Sequence, residues 1–327
     1  MNFSRIRLAG PVREALSPSD FRLETVPLRA VREHEVLTRT LALSLDPFLV
    51  RRMRDWSLDP AWAEGVISGR TIGQVLQSRA PDVREGDLVI GFGAWAEYDL
   101  RPAAGLAVMQ DLDLPLAAHL GPLGSSGMTA WTGVRLIDPA PGETFCVSSA
   151  AGAVGSVAGS LARLRGARVV GIAGGPQKCA LLRQRLAFDA AIDHRAGDLA
   201  SALAAAAPGG IHGHFENVGA PILDPVLRNM AAGGRIGLCG LIAHYQDESA
   251  VALANFRLLL DRALTLRGFK GADTAVHHAQ ARREIAGHLR TGAIPLICSL
   301  HQGLEAAPAA FVDMLAGRGE GKHVVLL

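Results

Sequence analysis

TFCVSSAAGAVGSVAGSLARLRG, residues 144–166, decides how this chain is read. Residues 144–149 form a short apolar run, the pattern of a parallel strand buried on both faces. Val154, Val157, Ala158, Leu161 and Leu164 then recur on one helical face, and Gly166 ends it. The turn between them is made of small residues. Ala150, Gly152 and Gly155 stand at the three glycine places of G-x-G-x-x-G. Gly152 lets backbone N–H groups approach a pyrophosphate, and Gly155 lets the helix pack close to the strand. Ala153 and Val154 lead into the helix N-terminus, whose partial positive charge faces the anion. Ala150 breaks the first glycine place, so the strand-turn-helix context carries the motif. No charge occurs from 145 to 162, a length at which a membrane span is considered. The Gly, Ala and Ser content fits strand, turn and helix better.

Outward from this stretch the alternation continues. Strands are expected at 168–173, 190–193, 214–218 and 235–241. Helices are expected at 177–186, 198–207 and 222–230. This β-α-β-α order predicts a doubly wound parallel sheet. Before it, residues 37–44, 73–77, 87–91 and 95–100 are short apolar or alternating runs punctuated by Pro and Gly, which predicts an all-β, barrel-like unit. After it, helices are expected at 256–266 and 275–289 and a strand at 323–327. The expected fold is α/β in three stretches. Residues 1–118 begin the β domain, 119–290 form the dinucleotide-binding domain, and 291–327 return to the first.

Composition sets the outer limits. The chain has 327 residues, 49% hydrophobic and 20% charged, which excludes disordered and fibrous classes and makes two domains the natural reading. A formal charge of +2 gives no long-range field for nucleic acid or an anionic membrane. Cys146, Cys179, Cys239 and Cys298 are far apart, so neither a disulfide framework nor a zinc cluster is expected. The first 17 residues contain no apolar core of a signal peptide. A soluble, cytoplasmic protein is expected.

The coenzyme type is read about 20 residues past the glycines, where an acid meets the adenosine ribose in NAD-binding chains. Residues 172–178 carry no acid there, but two glycines and then Lys178. Absence of a carboxylate and presence of a lysine favour a 2′-phosphate, hence NADP(H).

These residues resemble the zinc-independent medium-chain dehydrogenases/reductases, in particular the NADPH-dependent 2-alkenal, prostaglandin and curcumin reductases. LDPFLVRRM (45–53), LGSSGMTAWTG (123–133), AAGAVGS (150–156), GGPQKC (174–179), FENVG (215–219), CGLIAHY (239–245) and GKHVV (321–325) are similar to family motifs in the expected order. The resemblance implies a GroES-like β domain and a Rossmann domain. It implies hydride transfer from NADPH to the β-carbon of an α,β-unsaturated ketone or aldehyde, and commonly a homodimer. It also implies that Lys178 and His194 lie near the 2′-phosphate and Asn217 near the coenzyme. Cys239, Gly240, Leu241 and Tyr245 would then run along the nicotinamide ribose, and Phe269 would begin a further such segment. Phe48, Arg52 and Trp131 fall at substrate-pocket positions.

The reaction this implies makes an enolate, whose oxygen needs a hydrogen-bond donor and whose α-carbon needs a proton. A phenol keeps its proton at neutral pH. Of the 2 tyrosines, Tyr245 stands at the family position and is the expected catalytic residue. No metal is expected, since no cysteine precedes Cys146 and His34 and His119 are isolated. Departures from the family pattern are Phe48 and Trp131 in place of tyrosines, Ser125-Ser126, Gly319, Ala187 in place of a helix-ending glycine, and a short stretch at 55–66. Trp56, Trp62 and Trp95 read as packing or as pocket lining. A quinone reductase of the same superfamily is the alternative enzyme, and a non-catalytic NADP(H)-binding redox sensor the alternative outside enzymes.

Overall fold

The computed structural model describes residues 2–58, 62, 64–245 and 251–327. The chain divides into two units, residues 1–120 with 298–327, and residues 121–297.

The first unit opens with β1 (Asn2–Leu8) and β2 (Phe21–Pro27), an antiparallel pair. β3 (Glu35–Ser44) leads through the turn Asp46-Pro47-Phe48 into helix α1 (Leu49–Arg54). β4 (Ser68–Ser78), β5 (Leu88–Ala94), β6 (Tyr98–Pro102), β7 (Ala107–Val108) and the short helix α2 (Leu116–Leu120) complete the first passage.

The second unit begins with helix α3 (Ser125–Ile137). Then β8 (Thr144–Val147), α4 (Gly155–Leu164), β9 (Arg168–Ala173), α5 (Pro176–Gln184) and β10 (Ala190–Asp193) make its first half. Helix α6 (Leu199–Ala206), β11 (Ile211–Glu216), α7 (Ala220–Leu227) and β12 (Met230–Leu238) follow. Helix α8 (Leu258–Asp261), β13 (Thr265–Gly268) and α9 (His278–Arg290) close it. The six strands are parallel in the order β10-β9-β8-β11-β12-β13. The order therefore reverses between β8 and β11, the switch point beside which such sheets bind ligands. Cys146, Val170, Ile172, Ile211 and Ile236 form the core of this sheet with Leu203 and Val226 from the helices.

The expected helix at 256–266 is corrected. Helix α8 covers four residues, Ala263 takes a left-handed φ of 51°, and residues 265–268 pair with β12 as the edge strand. The Leu- and Ala-rich composition favours helix locally, but satisfying the backbone of β12 overrides that weak preference.

The chain then returns to the first unit with β14 (Cys298–Gln302), α10 (Ala307–Leu315) and β15 (Lys322–Leu326). β15 lies between β14 and β3, with Val324 opposite Ser44 and Leu326 opposite Ala42. Trp62, Trp95, Leu43, Leu45 and Phe311 make the main core here, and Trp56 packs against it, so all three tryptophans are packing residues. Lys322, only 2% exposed, donates from Nζ to the Leu45 carbonyl and to Asp46 Oδ1, both at 2.6 Å. Asp46 also accepts from the Ser44 hydroxyl at 2.5 Å. This buried ion pair fastens the final strand to the turn that carries Phe48. The expected short stretch at 55–66 lies partly outside the described residues.

Candidate active site

The phosphate turn forms at the end of β8. Ser149 has a φ of 48°, a left-handed conformation that non-glycine residues seldom adopt, and its carbonyl accepts from Gly152 N at 2.9 Å. A β-carbon on Gly155 would collide with that carbonyl and with Ala150 Cα, so glycine is obligatory there. Ser156 N donates to the Gly152 carbonyl at 3.0 Å and begins the ladder of α4. The amides of Ala153, Val154 and Gly155 precede it and have no backbone acceptor among the described residues. That is the donor array a phosphate uses at a helix start. Ala150, at the first glycine place, is fully buried against Gly171 of β9, where a β-carbon would lie 3.0 Å from the Ala150 methyl. Gly171 on the neighbouring strand leaves the room that the Ala150 methyl takes.

At the end of β9, Gly174 and Gly175 lead into α5, and Gly175 has a φ of 93°. The side chains of His194 and Arg195 fold over Gly174. Its β-carbon would lie 2.9 Å from Arg195 Nε and 3.0 Å from His194 Nε2. Burial and the charges of Arg195 and Lys178 hold the His194 imidazole below its ordinary pKa, so a neutral imidazole stands beside two cations, Arg195 and Lys178. Asp193 does not oppose them as a ribose ligand would. Its Oδ1 accepts from the amides of Gly175 at 2.8 Å and Arg195 at 3.0 Å, stapling the two loops. Arg195 was not singled out from the sequence, and only its place after His194 in the loop would have marked it.

Across the switch point, Ser148 and Glu216 couple the ends of β8 and β11. Ser148 Oγ donates to Glu216 Oε1 at 2.8 Å and accepts from Asn217 N at 2.7 Å. Glu216 also accepts from the amides of Val218 and Gly219 and pairs with His214 Nε2 at 2.7 Å. Burial opposes the Glu216 charge, yet the His214 bond and these amides hold its carboxyl below the ordinary range. Asn217 Nδ2 donates to the Ser148 carbonyl at 2.7 Å, and its Oδ1 accepts from Cys239 Sγ at 3.4 Å. The Asn217 side chain is thus a brace across three strand ends. Burial, helped by the charge of Glu216, pushes the Cys239 thiol up to about 12, so it is not a nucleophile.

Residues 239–245 follow β12. His244 seats on Gly219, whose φ of 110° and crowded α-proton side require glycine, and its Nε2 accepts from Ala220 N at 3.3 Å. Tyr245 turns back so that its hydroxyl lies 3.3 Å from the β-carbon position of Gly240, beside the Asn217 carbonyl. Gly240, Leu241 and Tyr245 are therefore gathered with Asn217 and Cys239 at one end of the sheet. The small-residue turn, the two cations with His194, and this cluster fit a phosphorylated dinucleotide laid across the switch point.

The matching family models are an N-terminal domain of oxidoreductase, over residues 4–109, and a zinc-binding dehydrogenase, over residues 153–285. The NADPH-dependent curcumin reductase of Escherichia coli is 35% identical over 333 residues, covering 97% of this chain and 95% of that protein. The NADP(+)-dependent 2-alkenal reductase of Nicotiana tabacum is 36% identical over 318 residues, covering 94% and 93%. The crystal structure of CurA in complex with NADPH from Vibrio vulnificus superposes with a TM-score of 0.89 at 33% identity, covering 99% and 98%. The chain belongs to the medium-chain dehydrogenase/reductase family. Within it, relatives of this chain include alkenal, curcumin, pulegone and prostaglandin reductases.

Departures from this family's pattern take definite places. Trp131 is packed among residues of the second unit. It is 2% exposed, its indole N–H donates to Glu284 Oε2 at 2.9 Å, and Arg135 stacks on its ring at 4.5 Å. The Phe269 ring likewise belongs to the core, edge-on to Phe215 at 5.6 Å, which leaves only its backbone for a coenzyme. Gly319 has a φ of 80°, and the His323 ring and Ser299 Oγ fill the space its side chain would take. Ala187 keeps the left-handed conformation of the glycine it replaces, with a φ of 53°. One matching model is described as zinc-binding, but this sequence has no cysteine before Cys146. Among the described residues no three His, Cys, Asp or Glu side chains gather as a metal requires.

Proposed function

We propose that the protein is an NADPH-dependent reductase of the carbon–carbon double bond of α,β-unsaturated ketones and aldehydes. The observation that carries the reading is the His194 and Arg195 pair over Gly174, with the Lys178 charge acting on His194, next to a phosphate turn, in a chain whose relatives are named for that chemistry. Gly152, Ala153, Val154 and Gly155 hold the pyrophosphate, and Lys178, Arg195 and His194 hold the 2′-phosphate. The Asn217, Cys239, Gly240, Leu241 and Phe269 backbones line the nicotinamide end. NADPH, when bound, supplies the hydride that adds to the substrate β-carbon and leaves an enolate. Tyr245 donates its phenolic hydrogen bond to the enolate oxygen, and a proton taken up at the α-carbon completes the addition. Phe48 and Arg52 are the substrate contacts of the first unit.

NADPH consumption with a panel of alkenals, enones and quinones tests this reading. Enone turnover that falls at least tenfold in Tyr245→Phe, with coenzyme affinity retained, supports it. Turnover of quinones alone would favour the quinone reductase, and tight NADPH binding without any turnover the redox sensor.

We further propose a cytoplasmic homodimer. All four cysteines are free thiols, as a reducing compartment keeps them. β13 is an edge strand with β12 as its partner, and Phe256, Leu260 and Val276 stand exposed in the segments before and after it. Sedimentation of wild type against Leu260→Glu checks the dimer.

A further inference from the structure

Phe48, Arg52, Phe92 and Arg70 form an alternating aromatic and cationic row on the first unit. The Arg52 guanidinium lies 5.4 Å from the Phe48 ring centre and 5.7 Å from that of Phe92. Arg70 lies 5.3 Å from the Phe92 centre on its own side. The register of β4 and β5 sets Arg70 directly opposite Phe92, so the two share a face. Phe48 is 38% and Phe92 45% exposed. One exposed ring on a surface is ordinary, but two rings interleaved with two guanidinium groups make a prepared surface. Stacked on Phe92, the Arg70 guanidinium keeps its N–H donors open around its edge, in the plane where a carboxylate is gripped by two hydrogen bonds.

β4 and β5 carry no acid, and Asp99 of the neighbouring β6 does not quench that charge. Thr71 and Gly93, which alternate with Arg70 and Phe92, face Arg101 and Asp99 on the other side of the sheet. Arg101 and Asp99 serve each other there at 3.7 Å. Among the described residues no carboxylate lies within ion-pair distance of Arg70. Burying a stacked cation against a flat apolar surface while leaving its edge unmatched suits one ligand chemistry, a planar group that ends in an anion.

We propose that Arg70, backed by Phe92, is a specificity-determining residue that selects unsaturated ketones and aldehydes carrying a planar carboxylate-bearing group. The inference rests on the reading of the protein as an enone reductase with Phe48 and Arg52 at its substrate. The flat part of such a substrate lies along Phe48 and Phe92, and its carboxylate takes paired hydrogen bonds from Arg70.

The test compares 4-(3-oxobut-1-enyl)benzoate with its methyl ester and with the uncharged parent, benzylideneacetone, by NADPH consumption at low ionic strength. The acid is expected to exceed the ester in kcat/KM on the order of tenfold, mostly through KM, as a charge-assisted contact allows. Arg70→Gln should bring that ratio close to one, and Arg70→Lys, which keeps the charge but loses the planar fork, should restore only part of it. Affinity for 2′,5′-ADP, which binds the other unit, reports that each variant is folded. Equal kcat/KM for acid and ester in wild type, or an unchanged ratio in Arg70→Gln, overturns the proposal. Failure to reduce benzylideneacetone as well is a different result, since it removes the enone reading itself and this inference with it.

Discussion

Ala150 rests its methyl group on the bare backbone of Gly171, where a β-carbon would stand only 3.0 Å away. The two positions share one small-residue requirement between adjacent strands, and this is how the phosphate turn tolerates alanine at its first glycine place. Gly171→Ala would also crowd Leu182 and Phe188. It should cost about 1–3 kcal/mol of stability, as overpacking does, and weaken coenzyme binding by displacing the turn. Ala150→Gly should leave binding nearly unchanged. Thermal unfolding and NADPH titration of both variants check the pair.

Arg195 over Gly174 and Lys178, whose charge reaches His194, should act on the phosphate and on little else. Lys178→Ala and Arg195→Ala should each lower affinity for 2′,5′-ADP on the order of tenfold, the scale of a charge-assisted hydrogen bond, and barely alter affinity for 5′-AMP. Calorimetry with the two nucleotides reads the difference. Equal losses for both would mean that the loop had collapsed rather than lost a phosphate contact.

Ala187 carries a steric cost in the left-handed region that glycine would not. It is exposed, so its methyl group gives little packing in return. Ala187→Gly should stabilise the coenzyme-free protein by about 1 kcal/mol and raise its unfolding midpoint, with turnover unaffected.

Lys322→Met should be severe. Among the described residues it would leave the buried Asp46 carboxylate with only the Ser44 hydroxyl as a side-chain partner, a loss of about 3–5 kcal/mol. Lys322→Met combined with Asp46→Asn should recover part of that, because the uncompensated charge is gone. Denaturant titration of the single and double variants measures the recovery.

Much of the second unit was legible because strands buried on both faces read as plain apolar runs. The order from Thr144 to Asp193 was recoverable from short stretches such as Arg168–Ala173, whose bounds match the structure. Lys178 stood out by its distance past the glycines, and Tyr245 only through the family resemblance. The hairpin of β1 and β2 escaped because its alternation is masked by Arg5, Arg7 and Glu24, which pair across the strands. Helix α3 escaped because its small-residue surface has no sharp polar face. Arg195, His244 and Ser148 act through partners tens of residues away or in a neighbouring loop, and no periodicity records such a meeting. Residues 256–266 misled because local propensity pointed to helix while an open sheet edge needed a strand.

The interrupted course of the first unit has a consequence for how the protein is made. During translation residues 121–297 leave the ribosome with every strand of their own sheet, and can settle at once. Residues 1–120 emerge earlier but must wait, with one side of β3 uncovered along residues 42–44, until Lys322 and the strand it begins arrive. The first-born half of the enzyme is the last to be finished, so a stalled or shortened nascent chain would present a folded nucleotide unit tethered to an open, association-prone partner.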